Sequence, residues 1–260
     1  MTQDFLRRNR WAVLVAMAVM ALCLPVFLIS WNVRALANWP TLYEYGFTEK
    51  GVVERTGIER DELSDAGRQI REYFNNDEET LDLRVQYDGE TVSLYGPQEV
   101  AHMRDVKDLI RGVWAAGWVT GGLIAALAAA GVWLLGREAL TLLKRSVAWS
   151  AYGSVGAILV IGVLSLISFR FVFTIFHEIS FANDLWRLDS SSSMLLAMFP
   201  QGFWFDATML LAAMTVLEFA AVYGAARWAA RRFGGVRERV SIPGNEVTET
   251  SAAQASRSRP

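Results

Sequence analysis

Residues 98–135, QEVAHMRDVKDLIRGVWAAGWVTGGLIAALAAAGVWLL, pass from a charged segment into an apolar run, 109–135, whose only charge is Arg111. Pro97 suits the first turn of a helix, where its missing N–H costs nothing. One unbroken helix is therefore expected to begin above a bilayer, carry His102 just outside it and then enter it. Val100, Met103, Val106 and Ile110 form an apolar stripe that lets the approach lie against the membrane or against neighbouring helices.

A helix rising 1.5 Å per residue needs about 20 apolar residues to cross roughly 30 Å of hydrocarbon. Three other runs meet that length: 11–31, 147–173 and 203–228. The predicted fold is an α-helical membrane protein with four transmembrane helices and a small extracytoplasmic α+β cap. A composition of 53% hydrophobic residues and a mean hydropathy of +0.24 agree with this class and not with an ordinary soluble domain. The first run follows Arg7, Arg8 and Arg10 but exceeds the about 7–15 apolar residues of a signal peptide, and Ser30-Trp31-Asn32 is no small-x-small cleavage site, so an uncleaved helix is expected.

Basic residues resist translocation and so report orientation. Arg7, Arg8 and Arg10 precede the first helix, Arg137, Lys144 and Arg145 lie between the second and third, and Arg227, Arg231, Arg232, Arg237 and Arg239 lie at and after the end of the fourth. Residues 34–108 instead carry nine basic against seventeen acidic residues, a net of −8. The layout is then a cytoplasmic N-terminus over 1–10, transmembrane helices over 11–31, 109–136, 147–176 and 203–228, and an extracytoplasmic cap over 32–108. A cytoplasmic loop spans 137–146, an extracytoplasmic loop 177–202, and a cytoplasmic tail 229–260 whose Ser- and Thr-rich end from 241 reads as disordered. Both termini lie in the cytoplasm of a multi-pass protein of the cell membrane.

Within the cap, Leu63, Ala66, Ile70, Tyr73 and Phe74 recur at helical spacing over 59–74, and Thr56 with Glu59 fits a capping box. Leu81, Leu83, Val85 and Tyr87 alternate with polar residues before Asp88-Gly89, a hairpin signal. Residues 39–54 match no pattern, no internal repeat is evident, and Gly234-Gly235 end the last helical pattern. The net charge of −2 says nothing in favour of a nucleic-acid partner. A lone cysteine, Cys23, excludes an internal disulfide and reads as a small apolar filler.

The only two histidines, His102 and His177, fall at the same membrane face, each where an outer segment meets a helix. Their charge changes most easily near neutral pH, which suits proton transfer. Asp105, three residues after His102, is placed to orient or charge its ring, and Glu178 and Asp184 are placed to do so for His177. Arg170 shares a helical face with His177 as a phosphate or carbonyl binder; the plainer role for it and Arg111 is snorkelling to the interface. Trp186, Trp204, Phe181, Phe203 and Phe205 bring rings to the outer loop among polar residues. Glu218 is expected toward the cytoplasmic end, far from the histidines, in packing. No HExxH occurs, and a catalytic zinc wants three protein ligands, so no metal is expected. That both histidines are satisfied polar residues at helix ends also remains open.

Residues 99–107, EVAHMRDVK, resemble an E-x-x-HM-x-DVK run in a family of small bacterial four-helix membrane proteins that includes the lipoprotein intramolecular transacylase. Residues 176–189, FHEISFANDLWRLD, and 198–204, MFPQGFW, are similar to it too, and the likeness spans 10–232. It implies an acyltransferase that moves the sn-2 acyl chain of a diacylglyceryl-modified lipoprotein onto the amine of its N-terminal cysteine, giving the lyso-form. It implies His102 and His177 as catalytic. Met103, Arg104, Asp105, Arg170, Glu178, Asp184 and Trp186 are read as supporting them or binding substrate. The partners are the lipoprotein and membrane lipid; no cofactor and no acyl-enzyme are required. His177 acting as base and His102 as donor is one assignment, and the reverse is equally open. Non-enzymatic binding of a lipid or lipoprotein is the competing reading, and a transporter is disfavoured by the lack of a buried charged pathway.

Overall fold

The computed structural model describes residues 7–87 and 89–233. Helix α1 (Arg10–Ala37) is followed by α2 (Pro40–Glu49), α3 (Val52–Thr56) and α4 (Arg60–Asn75), then an antiparallel hairpin of β1 (Arg84–Tyr87) and β2 (Glu90–Ser93). Helix α5 (Pro97–Leu135) leads through a single 3-10 turn, Gly136–Glu138, into α6 (Ala139–Ser180); a short α7 (Met194–Met198) precedes α8 (Gln201–Phe233).

Among the described residues three segments are long and apolar enough to cross a membrane: Arg10–Ala37, Pro97–Ser180 and Gln201–Phe233. The second is a hairpin, since α5 and α6 fold back on one another about the turn, where Gly136 takes a φ of +55° that a side chain would oppose. Pro97 occupies the first turn of α5 as its chemistry favours, and the helix runs without interruption through His102 into the apolar stretch. Helix α6 extends past the apolar stretch to Ser180, so His177 sits in a helical last turn and not in a loop.

Close backbone approach holds the bundle. A Cβ on Gly117 would lie 2.8 Å from Ser30 Cβ, which brings α5 against α1, and Leu24, Leu28, Val147 and Phe219 form a small core among α1, α6 and α8. Leu22, Trp133 and Ile167 point outward, as apolar side chains do when lipid is the solvent.

The cap has its own core. Leu63, Ala66, Ile70, Tyr73 and Phe74 bury one face of α4 against Phe47, Val85, Met103, Met198, Phe199 and Phe203, so the N-terminal ends of α5 and α8 are built into it. Lys107, itself buried, fastens α5 to the end of α4: its Nζ donates to Asn76 Oδ1 at 2.9 Å and Glu78 O at 2.6 Å and lies 3.9 Å over the Tyr73 ring.

Several expectations change. Thr56 does not cap α4; its hydroxyl donates to Val52 O and accepts from Ile58 N, closing α3 instead, and Glu59 makes no side-chain cap. Residues 39–54, unreadable by pattern, form α2 and α3. Arg111 donates to Asp77 at 2.9 Å, tying the cap to the helix and not merely anchoring in headgroups. Glu218 meets the outer end of α1: Asn32 Nδ2 donates to Glu218 Oε2 at 2.8 Å and to Thr215 Oγ1 at 3.1 Å, so its expected place near the cytoplasmic end is corrected. The Asp88 position of the hairpin turn, Gly234-Gly235 and the tail from 241 lie outside the described residues.

Gly46 on α2 faces the Phe203 ring so closely that a Cβ would stand 2.6 Å from it. Gly46→Ala is expected to cost about 1–3 kcal/mol through overpacking, read as a lowered melting temperature of the detergent-solubilised protein.

Candidate active site

His102 comes from the second turn of α5, within the cap, and His177 from the last turn of α6. The two rings face one another with centroids 6.0 Å apart, although 75 positions separate them in sequence. Both are buried.

Aromatic side chains, not carboxylates, form the walls. Phe173 lies one turn before His177 with ring centroids 4.1 Å apart, Phe176 stands edge-on at 5.3 Å, and Trp186 covers it at 5.1 Å. Phe181 touches both histidines, at 5.2 Å from His102 and 5.6 Å from His177. Burial, then the neighbouring His177, push the His102 imidazole down from 6.5 to about 4, against an opposing pull from Asp105. Burial also pushes His177 down, partly offset by its bond to the Phe173 carbonyl. Both rings lie beyond the apolar stretches 109–135 and 147–173, and burial disfavours the charged form of each.

Hydrogen bonding then sorts the ring nitrogens. His177 Nδ1 lies 2.7 Å from Phe173 O, a contact that only an N–H can satisfy, which leaves its Nε2 as a lone pair free to take a proton. His102 Nδ1 is enclosed with no partner among the described residues. A stranded N–H costs more than a stranded lone pair, which favours the proton on Nε2. One ring thus offers an acceptor and the other a donor.

The supporting residues fall elsewhere than spacing suggested. Asp105 does not bond the His102 ring; it accepts from Asn183 Nδ2 at 2.9 Å and acts on His102 only through its charge. Glu178 and Asp184 both turn to Arg187, at 3.4 Å and 2.8 Å, and neither reaches His177. Arg187 in turn stacks over Trp186 at 4.6 Å, so the pair of carboxylates steadies the ring that covers His177. Arg104 pairs with Glu79 at 2.7 Å, and Met103 is buried in the cap core. Arg170 is exposed and makes no ion pair among the described residues.

Glu99 was not singled out for the site by spacing. Its buried carboxylate accepts from Gly96 N–H, Ser193 Oγ and Leu195 N–H at 2.8, 2.7 and 2.8 Å. Its sequence signal is its place three residues after Gly96 at a Pro-started helix, where an acid meets free N–H groups. Among the described residues no group of three or more His, Cys, Asp or Glu is arranged to hold a metal.

A sequence model of the family described as lipoprotein intramolecular transacylase Lit matches residues 18–204. The membrane-integral lipoprotein intramolecular transacylase Lit from Bacillus cereus superposes with a TM-score of 0.70 at 15% identity, covering 85% of this chain and 96% of that one. A form of the same protein with a histidine-to-arginine substitution superposes at 0.67 and 14% identity, covering 89% and 97%. An uncharacterised protein of Aquifex aeolicus (strain VF5) is 28% identical over 120 residues, 46% of this chain. The match spans half the length of that relative.

The unfolded chain binds a proton at His102 near 6.5 while the folded chain resists until about 4. Stability is therefore fully present above pH 6.5, declines as pH falls toward 4 and levels below. Denaturant unfolding of His102→Asn across that range is expected to show a shallower decline than the unsubstituted protein.

Proposed function

The chain belongs to the lipoprotein intramolecular transacylase Lit family, and we propose that it is a membrane acyltransferase that moves an acyl chain within a diacylated lipoprotein from glycerol to the amine of the N-terminal cysteine. The facing pair His102 and His177, one offering a proton and the other a lone pair, carries this reading.

In the reaction the cysteine nitrogen attacks the carbonyl carbon of the sn-2 ester. His177 Nε2 takes the proton that the amine sheds as the N–C bond forms. The carbonyl oxygen, now negative, accepts from His102 Nε2–H. As the bond from carbon to glycerol oxygen breaks, that oxygen receives from His177 Nε2 the proton the amine shed, and an amide on cysteine, a free glycerol hydroxyl and a neutral His177 remain. Protons are conserved and no acyl-enzyme is formed.

Neutral imidazoles suit both tasks. A protonated His177 would have no lone pair to accept with, and the apolar walls that keep the rings neutral also strengthen a hydrogen bond to a developing oxyanion. Attacker and ester belong to one molecule, so correct placement replaces a bimolecular encounter and supplies several kcal/mol (about 7–11 at best). Arg170 lies seven residues before His177, about 10 Å lower along α6, where it meets a lipid phosphate or the remaining ester carbonyl.

We read the two arms of the α5–α6 hairpin as separate crossings, giving four transmembrane helices with both termini in the cytoplasm and the histidines on the extracytoplasmic side. The exposed Phe171, Phe176 and Ile179 on α6 then face the outer leaflet beside the site, where acyl chains enter.

Tandem mass spectrometry of the N-terminal lipopeptide of a reporter lipoprotein tests the reading, since the transfer leaves the intact mass unchanged. One chain on the amine and one on glycerol is the expected product. His102→Ala and His177→Ala are each expected to lower its rate by at least about 10²-fold, and near-normal turnover in either variant overturns the assigned roles.

A further inference from the structure

Beside the histidine pair, on the other side of the outer loop, lies a cavity of about 630 Å³ that the chemistry above does not use. Val100, Ala101, Arg104, Asp105 and Asp108 of α5 line it, with Leu185 opposite. Its size is within the about 300–1,000 Å³ of ligand sites.

Loop and cavity are one construction with the active site. Leu185 lines the cavity while the next residue, Trp186, covers His177. Gln98 Nε2 holds that loop by donating to Leu185 O at 3.2 Å and Arg187 O at 3.3 Å, and Asp105 holds it through Asn183. The opening therefore borders the same loop residues that cover His177, so a chain whose amine reaches His177 passes beside it.

The wall chemistry is uneven. Glu79 already neutralises Arg104, whereas Asp108 is exposed and forms no ion pair among the described residues. Asp105 accepts only from the neutral amide of Asn183. The rim is therefore acidic over an apolar floor of Val100, Ala101 and Leu185.

We propose that this groove holds the polypeptide that follows the lipidated cysteine of the substrate, and that Asp105 and Asp108 make it favour basic over acidic residues there. The proposal rests on the acyl-transfer reading: the acyl chains belong in lipid, so the segment needing a path through the water-facing cap is the polypeptide. Apolar small side chains fit the floor and basic ones meet the rim.

Two measurements test it in the full-length membrane protein. A photoreactive benzoylphenylalanine in place of Ala101 is expected to cross-link a diacylated reporter lipoprotein within the first few residues after its cysteine. Cross-links to phospholipid alone, or to no part of that segment, overturn the assignment. Competing lipopeptides with Lys or Glu at the second and third positions are expected to be converted with a ratio of about two to five in favour of Lys, the scale of an exposed ion pair. Asp108→Lys is expected to bring that ratio to one or below, and because both lipopeptides compete for the same variant, general damage does not move it. A ratio of one in the unsubstituted protein, or one unchanged by the substitution, overturns the charge selection. If the polypeptide cross-links while no acyl chain moves on any lipopeptide, the acyl-transfer reading fails and the groove assignment stands.

Discussion

The buried carboxylate of Glu99 is the contact on which the outer half of the molecule turns. It answers three donors from two distant stretches of chain: the free amide at the start of α5, and a hydroxyl and an amide at the start of α7. Hydrogen bonds to an ionised acceptor are about twice as strong as neutral ones, and an enclosed carboxylate lacking them is costly. This fastening sets where the second outer segment lies, and that segment supplies Phe181 and Trp186 to the histidine site. The aromatic enclosure is thus held by a polar contact that never touches a histidine.

That arrangement separates two demands that conflict in one place. Keeping imidazoles neutral calls for apolar surroundings, while fixing a loop above a membrane calls for charged and polar ties. Here the rings at the site are Phe173, Phe176, Phe181 and Trp186, and the ties are one layer out: Arg187 with Glu178 and Asp184, Asn183 with Asp105, Gln98 with the loop backbone. The carboxylates act on the shape of the enclosure and only weakly on the charge of the rings.

Much of the architecture was legible because lipid imposes a simple rule of length and apolarity, and because the face of α4 repeats with helical period. The continuity of α5 through His102 followed from Pro97 and an unbroken pattern. What escaped were elements without a period: α2 and α3 have mixed faces, and α7 is a single turn. At the site, equal depth of the two histidines followed from topology, whereas their facing did not, since helix rotation is set by packing. Spacing placed Glu178, Asp184 and Asp105 beside the histidines, but Arg187 and Asn183 offered better partners, and spacing along one helix cannot weigh a competitor from another element. Glu218 was misplaced for a related reason: its depth counted along α8 ignores how far that helix rises into the cap before meeting α1.

The histidines occupy the free ends of a hairpin whose bend is the short turn at Gly136–Glu138. From His102 to that bend is about 50 Å of helix, so a rotation of roughly 1° there displaces a ring by about 0.9 Å. A bend alone is too coarse a bearing to hold the two rings in place to within tenths of an ångström. The cap works as the far bearing of a long pair of tongs, and bilayer fluctuations can flex the shafts while the tips stay in register.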